Sequence, residues 1–231
     1  MKIRNPFRDL TKFERGLWLV SLAVIALAFA LSGFHDVVTF IGSLIGATSL
    51  IFYAKGYVLG QFLTIAFCLF YGVISFYQRY YGEMICYLCM SLPMAVAGAI
   101  AWLRHPFQKT AEVKVGRLSK RQAAWMFLLA AVVTAAFYFI LRALGNAELL
   151  LSTVSIATSF IPACLTCFRS PYYALGYAVN DMVLVVLWSL AARNDISSLP
   201  MVACFATFLC NDLYAFYNWR RMKQRQMQAG S

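Results

Sequence analysis

The distribution of basic residues along a very apolar chain constrains the fold more than any other feature. Eight apolar stretches, at roughly 16–34, 36–54, 57–78, 82–103, 122–143, 147–168, 171–192 and 197–219, approach the ~20 residues that a membrane-spanning helix needs. Of the 20 Lys and Arg residues, 17 lie in the two tails and in the second, fourth and sixth gaps. This split alternates correctly only for eight spans with both termini in the cytoplasm. The sequence therefore predicts an all-α, multi-pass protein of the inner (cytoplasmic) membrane.

These charges argue against a nucleic-acid partner, although the net charge is +11. They flank the apolar stretches, where orientation in a membrane requires them. The longest polar stretch, 104–121, has 18 residues, which leaves no room for a soluble domain. We therefore expect the lipid bilayer to surround the protein and its function to lie within the membrane.

The first apolar stretch has two interpretations. It follows a basic segment and contains Ala26-Leu-Ala28, a pattern that is also found in cleaved signal peptides. Its apolar run is longer than that of a usual signal peptide, which favours a retained helix. The other seven spans keep the same orientation in both interpretations.

Short patterns recur in the same order in two parts of the chain, which indicates an internal repeat. They are Thr48-Ser49 and Thr158-Ser159, Gly60 and Gly176, and Trp102-Leu-Arg104 and Trp219-Arg-Arg221. Parallel repeats are typical of transporters that bind substrate at the repeat interface, and an odd-numbered repeat needs a spacer helix. We therefore predict an extra N-terminal helix (1–35), a first three-helix bundle (36–104), a loop with the spacer helix (105–146), a second three-helix bundle (147–221) and a cytoplasmic tail (222–231).

Polar residues at membrane depth are the candidates for a substrate site, because they are costly there. The stretches at 171–192 and 197–219 each contain an Asn-Asp pair, and further polar groups lie in 57–78 and near the inner end of the last span. The set consists of Asn180, Asp181, Asn211, Asp212, Gln61, Thr64 and Asn218. The alternative is that they form interhelical hydrogen bonds, each worth about 1 kcal/mol.

Aromatic residues are dense in the same spans and suggest the shape of a ligand. Phenol and indole protons at depth need a partner, which makes Tyr71, Tyr177 and Trp188 further candidates, together with Phe216. Amides flanked by aromatic faces suit a flat, hydrogen-bonding ring that carries a sugar. At the span ends, Trp102 and Trp219 are expected in the belts at the membrane surface.

No enzyme motif or cofactor motif is present in the sequence. The chain has no H-E-x-x-H sequence, no Walker loop and no Ser/His/Asp set. The two C-x-x-C spacings, Cys86/Cys89 and Cys164/Cys167, lie in apolar helices without a nearby His, where cysteine usually acts as a small apolar residue. We expect a protein that is not an enzyme and uses no cofactor, no metal, no ATP and no ion gradient.

Three segments resemble the PnuC family of vitamin-precursor transporters. They are Gly56-Tyr-Val-Leu-Gly60-Gln-Phe-Leu-Thr64, Tyr71-Gly72 with Arg79-Tyr-Tyr-Gly-Glu-Met84, and Cys210-Asn211-Asp212-Leu-Tyr214-Ala-Phe216-Tyr-Asn218-Trp219. The resemblance covers about 36–221 and implies a SWEET-like fold assembled as a homotrimer. It also implies facilitated diffusion of nicotinamide riboside, trapped by phosphorylation in the cytoplasm. On this basis we expect Asn180 and Asn211 to contact the substrate, and Trp188, Tyr177 or Phe216 to stack on its ring.

The sequence also departs from the family pattern and leaves alternatives open. Some members carry Trp four residues before the Asn of the second bundle's middle helix, where this chain has Gly176 before Asn180. Others carry a deep Gln and Asn where this chain has Cys86, Cys89, Met94 and Ala95. The alternative substrates are neutral (deoxy)nucleosides or another vitamin such as thiamine. A membrane enzyme or a structural subunit is the alternative of a different class.

Overall fold

The computed structural model describes residues 6–34, 36–108, 110–146 and 148–229, and it is helical nearly throughout. The helices are α1 (Lys12–Leu31), α2 (Val37–Ala54), α3 (Val58–Tyr77), α4 (Tyr81–Ile85), α5 (Leu92–Arg104), α6 (Lys120–Ala143), α7 (Leu149–Cys167), α8 (Tyr173–Asn194) and α9 (Leu199–Gln228). Within these residues, eight segments are long and apolar enough to cross a membrane, with α4 and α5 forming one of them. The predicted all-α, multi-pass fold with eight spans is confirmed.

Local capping signals explain where several helices begin. The side chain of Thr11 accepts a hydrogen bond from the backbone of Glu14, whose carboxylate accepts from the backbone of Thr11. Ser119 and Gln122 cap α6 in the same way. At the other end of the chain, α9 continues to Gln228, well beyond the expected end of the last span at 219.

The fourth span is continuous but irregular. A π-helical turn, Cys86–Ser91, joins α4 to α5. Pro93, the second residue of α5, has no N–H to donate to Cys89, and its ring crowds that carbonyl group. Since π-turns accommodate such a break in the hydrogen-bond ladder, the irregularity has a local cause in the sequence.

Six helical segments form a closed ring around the centre of the molecule. In order around the ring, α2 packs on α3, α3 on α5, α5 on α7, α7 on α8, α8 on α9, and α9 on α2. Helix α6 packs on the outside against α7, and α1 lies against α2 and α9. The assignment of these helices to two parallel bundles, 36–104 and 147–221, stays a prediction.

The recurring glycines Gly60 and Gly176 allow close contact between neighbouring helices in the two halves of the ring. A Cβ atom added at Gly60 would lie 2.7 Å from the backbone nitrogen of Tyr53 on α2. One added at Gly176 would lie 2.8 Å from the Cβ atom of Pro162 on α7. Both positions therefore bring a helix against its predecessor more closely than any side chain would permit.

One end of the ring is crossed by a connecting segment that we call the strap, residues 110–116. Val113 donates a backbone hydrogen bond to Gly56 in the α2–α3 turn, and Gly116 donates one to Arg169 in the α7–α8 turn. The side chain of Gln226 in α9 donates to the carbonyl group of Val113 at 3.0 Å. Since both ends of the described chain, the strap and most basic residues lie here, we call this end of the ring the basic end.

The two tryptophans expected in the membrane-surface belts lie inside the protein instead. Trp102 and Trp219 are 1% and 0% exposed, and their rings contact each other at the basic end, with centroids 5.4 Å apart. The expectation was wrong because each indole N–H has a partner within the protein. Trp102 donates to the carbonyl group of Thr166, and Trp219 to that of Tyr53.

Candidate functional site

A central cavity lies inside the ring of six helices, and each of the six spans contributes to its wall. The space between its lining atoms is about 690 Å³, including the part that is open to solvent. The lining residues are Ser49, Leu50, Tyr53, Gln61, Thr64, Phe67, Cys68, Tyr87, Ser91, Met94, Ala95, Ser159, Ala163, Thr166, Tyr177, Asn180, Asp181, Phe208 and Asp212. The cavity is narrow and bounded by several aromatic side chains, which suits a flat ligand.

Two amide side chains are held in fixed orientations at the cavity wall. The hydroxyl group of Tyr53 donates to Gln61 Oε1 at 2.6 Å, and Gln61 Nε2 is buried without a partner among the described residues. Thr158 donates to Asn180 Oδ1 at 2.8 Å. In both cases the carbonyl oxygen is occupied, so each amide presents its N–H donors to a ligand.

Two carboxyl groups meet at the same cavity. Asp181 on α8 and Asp212 on α9 are 3% and 1% exposed, and their side chains lie within hydrogen-bonding reach of each other. Asp181 Oδ2 and Asp212 Oδ1 are buried without a partner in the described part of the chain. Among the described residues that line the cavity, none is Lys, Arg or His. The described lining therefore offers carboxyl groups and no basic side chain.

The structure brings six of the eleven sequence-predicted site residues together at the cavity. They are Gln61, Thr64, Tyr177, Asn180, Asp181 and Asp212. Among the residues lining the cavity we do not find Tyr71, Trp188, Asn211, Phe216 or Asn218.

Two of these five, Asn211 and Asn218, make polar contacts between helices, and Phe216 contacts another aromatic ring. Asn211 donates to the hydroxyl group of Ser21 on α1 at 3.0 Å and to the carbonyl group of Thr207 at 2.7 Å. Asn218 donates to the carbonyl group of Ala54 at 2.8 Å. Phe216 lies next to the ring of Tyr172 instead. Polar character at membrane depth did not distinguish these positions from those at the cavity.

Tyr71 and Trp188 contact each other beside the cavity. The indole N–H of Trp188 on α8 donates to the hydroxyl group of Tyr71 on α3 at 2.7 Å, and the two rings pack edge to face. The Tyr71 hydroxyl group donates in turn to Glu83 Oε2 at 3.3 Å. This chain of hydrogen bonds links α8, α3 and α4.

Glu83 is the polar residue that the sequence analysis missed. Its side chain is 0% exposed, although it lies only two residues into its helical span. The signal that could have identified it is the absence of any Lys or Arg within the next twenty residues of that apolar span. Because α4 packs against α7, this carboxyl group lies inside the protein rather than in the surface layer.

The cavity is closed by side-chain contacts at both ends of the ring. At the basic end, the rings of Trp102 and Trp219 contact each other from opposite helices, and each donates to a carbonyl group of the neighbouring helix. Towards the other end, Tyr80 lies edge to face with Trp188, and its hydroxyl group donates to the carbonyl group of Leu187 at 3.5 Å. Burial raises the pKa of Tyr80, so this hydroxyl group remains a donor at neutral pH. Side-chain contacts therefore cross the ring at both of its ends.

The internal repeat has a counterpart in the geometry of the site. Ser49 and Ser159, which are members of the recurring Thr-Ser pairs, both line the cavity. The described residues contain no group of three or more His, Cys, Asp and Glu side chains that could hold a metal ion. The polar chemistry of the cavity comes instead from amides, hydroxyl groups and the two carboxyl groups.

Comparison with known proteins gives consistent matches over most of the chain. The family model described as nicotinamide mononucleotide transporter matches residues 36–221. The nicotinamide riboside transporter PnuC of Neisseria mucosa is 27% identical over 230 residues, which cover 96% of this chain and 86% of that protein. The protein of the same name from Haemophilus influenzae is 21% identical, over 80% of each chain. A crystal structure of the vitamin B3 transporter PnuC superposes with a TM-score of 0.82 at 25% identity and covers 94% of both chains.

Proposed function

This chain belongs to the nicotinamide mononucleotide transporter family, and from that membership we propose that it carries nicotinamide riboside across a membrane by facilitated diffusion. The relatives from Neisseria mucosa and Haemophilus influenzae are named for the riboside, whereas the family description names the mononucleotide. The two ligands differ by one phosphate group. The charge of the cavity can therefore decide between them.

The central cavity provides the observation that carries the choice of the riboside. Asp181 and Asp212 line it, and no basic side chain among the described residues does. Because Asp181 and Asp212 reach each other, they share at least one proton and carry at most one negative charge between them. A phosphate group would find no Arg or Lys among the described lining residues to bind it. The riboside has no phosphate group, and its pyridinium ring is positively charged.

The lining residues also suit the nicotinamide ring. Gln61 and Asn180 offer N–H donors to the carboxamide group of the ligand. The ring of Tyr177 offers a face for stacking and for attraction of the cationic pyridinium. We propose Gln61, Thr64, Tyr177, Asn180, Asp181 and Asp212 as the substrate-binding residues, and the substrate passes without covalent change.

The same charge argument supports a phosphorylation trap. Once a kinase in the cytoplasm converts the riboside to the mononucleotide, the product carries a phosphate group for which the described lining of the cavity offers no Arg or Lys. Return through the transporter is then slow, and uptake continues without an ion gradient. Nicotinamide riboside that reaches the cytoplasm is retained by this step.

We further propose that the protein lies in the inner (cytoplasmic) membrane as a homotrimer, with the basic end and both termini in the cytoplasm. The distribution of Lys and Arg supports the orientation. The family resemblance supports the trimer. Cross-linking in native membranes tests the assembly, and labelling of cysteines introduced at the basic end tests the orientation.

Binding to the purified protein tests the proposed substrate. Nicotinamide riboside, nicotinamide mononucleotide, thymidine and thiamine are titrated by calorimetry in the same detergent. We expect the riboside to bind at least tenfold more tightly than each of the others, and liposomes to equilibrate it without accumulation. Tighter binding of thymidine or thiamine, or accumulation driven by a proton or sodium gradient, would contradict the proposal.

A further inference from the structure

A second pocket lies at the basic end of the ring, outside the central cavity. Its lining residues come from α1, the α2–α3 turn, the strap and α9, and the space between their atoms is about 1380 Å³, including the part that is open to solvent. No described residue lines both this pocket and the central cavity. The space is sufficient for a ligand of nucleotide size, and we call it the basic-end pocket.

Helix α9 contributes one continuous face to the basic-end pocket. Tyr217, Arg221 and Arg225 follow one another at intervals of four residues, which aligns their side chains along one side of the helix. Arg221 and Arg225 lie beyond residue 219, where the last span was expected to end. This part of the pocket is therefore outside the predicted membrane span, within reach of soluble ligands. In the proposed orientation these are ligands of the cytoplasm.

The charges of the basic-end pocket leave one guanidinium group outside the ion pairs. Lys55 Nζ lies 3.0 Å from Glu14 Oε2, and Arg225 Nη2 lies 2.7 Å from Glu112 Oε1. Arg221, the third basic residue of the lining, forms no ion pair among the described residues. Since Arg221 and Arg225 are one helical turn apart, a single phosphate group can accept hydrogen bonds from both.

Exposed aromatic rings lie beside these charges. Phe13 on α1 and Tyr217 on α9 line the basic-end pocket and are 63% and 58% exposed. The guanidinium group of Arg221 lies 5.6 Å from the centroid of the Tyr217 ring, so the basic group adjoins a surface for stacking. A ligand that joins a phosphate group to an aromatic base uses both features, whereas a phospholipid headgroup uses only the first.

We propose that the basic-end pocket binds nicotinamide mononucleotide, with its phosphate group at Arg221 and Arg225 and its ring on Tyr217 or Phe13. The identity of the nucleotide rests on the proposed function, because the proposed trapping reaction makes it. Its phosphate group has no basic partner in the described lining of the central cavity and finds two here. The product of the trap therefore binds at the basic end of the transporter and not at the substrate site.

The strap competes with the nucleotide for Arg225. The Arg225 side chain is 61% exposed, and exposed ion pairs such as the one with Glu112 contribute little free energy. A phosphate group carries more charge and more acceptor oxygens than a carboxylate, so it displaces Glu112. The occupied pocket thereby loses one contact between the strap and α9, while the hydrogen bond of Gln226 to Val113 is retained. The concentration of the product thus affects how firmly the strap is held.

Calorimetry on the purified, unaltered protein tests whether the two sites are separate. Nicotinamide mononucleotide is titrated alone and in the presence of saturating nicotinamide riboside, and we expect the same affinity in both titrations. Loss of nucleotide binding in the presence of the riboside would place both ligands in the central cavity and overturn the inference. A third titration includes phosphatidylglycerol in the detergent micelles. Displacement of the nucleotide by this lipid would assign the pocket to lipid headgroups and would also overturn the inference.

Variants locate the phosphate group. Arg221→Gln and Arg225→Gln should each weaken nucleotide binding about tenfold, which corresponds to about 1.4 kcal/mol. Glu112→Gln should strengthen it by about threefold, because the competing carboxylate is removed. Arg104→Gln, at an exposed position of the basic end outside the pocket, is the matched control and should leave it unchanged. Nucleotide binding that is undetectable, or that all three pocket variants leave unchanged, would overturn the inference alone. Failure of the unaltered protein to bind the riboside would overturn the proposed function.

Discussion

The rings of Trp102 and Trp219 lie 5.4 Å apart at the basic end of the ring, and each indole donates to a carbonyl group near the end of the neighbouring helix. Trp102 at the end of α5 reaches Thr166 near the end of α7. Trp219 in α9 reaches Tyr53 near the end of α2. Each contact joins a helix of one half of the chain to a helix of the other half, and Trp102 and Trp219 hold equivalent positions in the recurring sequence patterns. Together the two contacts close one exit of the central cavity.

We expect Trp102→Phe and Trp219→Phe to weaken this closure equally. Each substitution removes one buried N–H donor, which is worth about 1 kcal/mol, and should raise the population of the open form about fivefold. The rate of Cys68 alkylation reports on opening, because this cysteine lines the cavity and is 0% exposed. Trp125→Phe, at an exposed position on α6, is the matched control. If Cys68 in the variants is alkylated at the same rate as in the unaltered protein, the tryptophans do not close the exit.

The second expected outcome concerns Tyr71 and Trp188, which form a hydrogen bond with each other beside the cavity. Tyr71→Phe leaves the indole N–H of Trp188 without its acceptor and removes the donor to Glu83. We expect a lower melting temperature, by about 2–6 °C for a loss of about 1–2 kcal/mol. Tyr77→Phe, at an exposed position on the same helix, should change the melting temperature by less than 1 °C. A melting temperature equal to that of the unaltered protein would exclude a structural role for this contact.

Gln61 provides the sharpest test of the ring end of the site. Gln61→Ala removes the donor aimed into the cavity, and we expect riboside affinity to fall about tenfold. Tyr53→Phe releases the amide from its fixed orientation and should reduce affinity by a smaller factor. Gln78→Ala, beyond the far end of the same helix, is the control for calorimetry. Unaltered affinity in a folded Gln61→Ala protein would remove Gln61 from the site.

The contribution of the Asp212 charge to binding can be measured with two ligands that have the same sugar but differ in charge. Nicotinamide riboside is cationic, whereas its reduced form is neutral and retains both ribose hydroxyl groups. We expect Asp212→Asn to weaken binding of the cation more than binding of the neutral form, because only the cation loses a charge interaction. Equal losses for the two ligands, measured by titration of the same preparation, would mean that Asp212 acts through hydrogen bonding alone.

Asn211 tests whether a polar residue deep in the membrane contacts the substrate or only another helix. The sequence analysis expected it to bind the ligand, and in the structure its side chain donates to Ser21 on α1. We expect Asn211→Ala to lower the melting temperature by about 2–4 °C, since it removes a buried bond between two helices. Ser21→Ala should reproduce most of that change. A large loss of affinity with no loss of stability would favour the role expected from the sequence.

The sequence was sufficient to predict the membrane spans but only some of the residues of the site. Length and hydropathy alone determine whether a segment can cross a bilayer, and all eight spans were found, within a few residues except at the end of α9, which continues to Gln228. Polar residues at depth were also found, yet depth does not give the direction of a side chain around its helix. Asp212 and Asn211 are adjacent in sequence, and a rotation of about 100° directs one to the cavity and the other to α1. Glu83 was missed because only the packing of α4 on α7 brings it inside.

The strap connects parts of the protein that never meet the substrate. It joins the α2–α3 turn to the α7–α8 turn, and Gln226 holds it from the far end of α9. Any movement that separates the two turns must break the bond of Val113 to Gly56 or that of Gly116 to Arg169. The strap thus resists opening at the basic end. Substitutions among the C-terminal residues can change how firmly the strap is held. They can thereby change the rate of transport while the residues that bind the substrate stay the same.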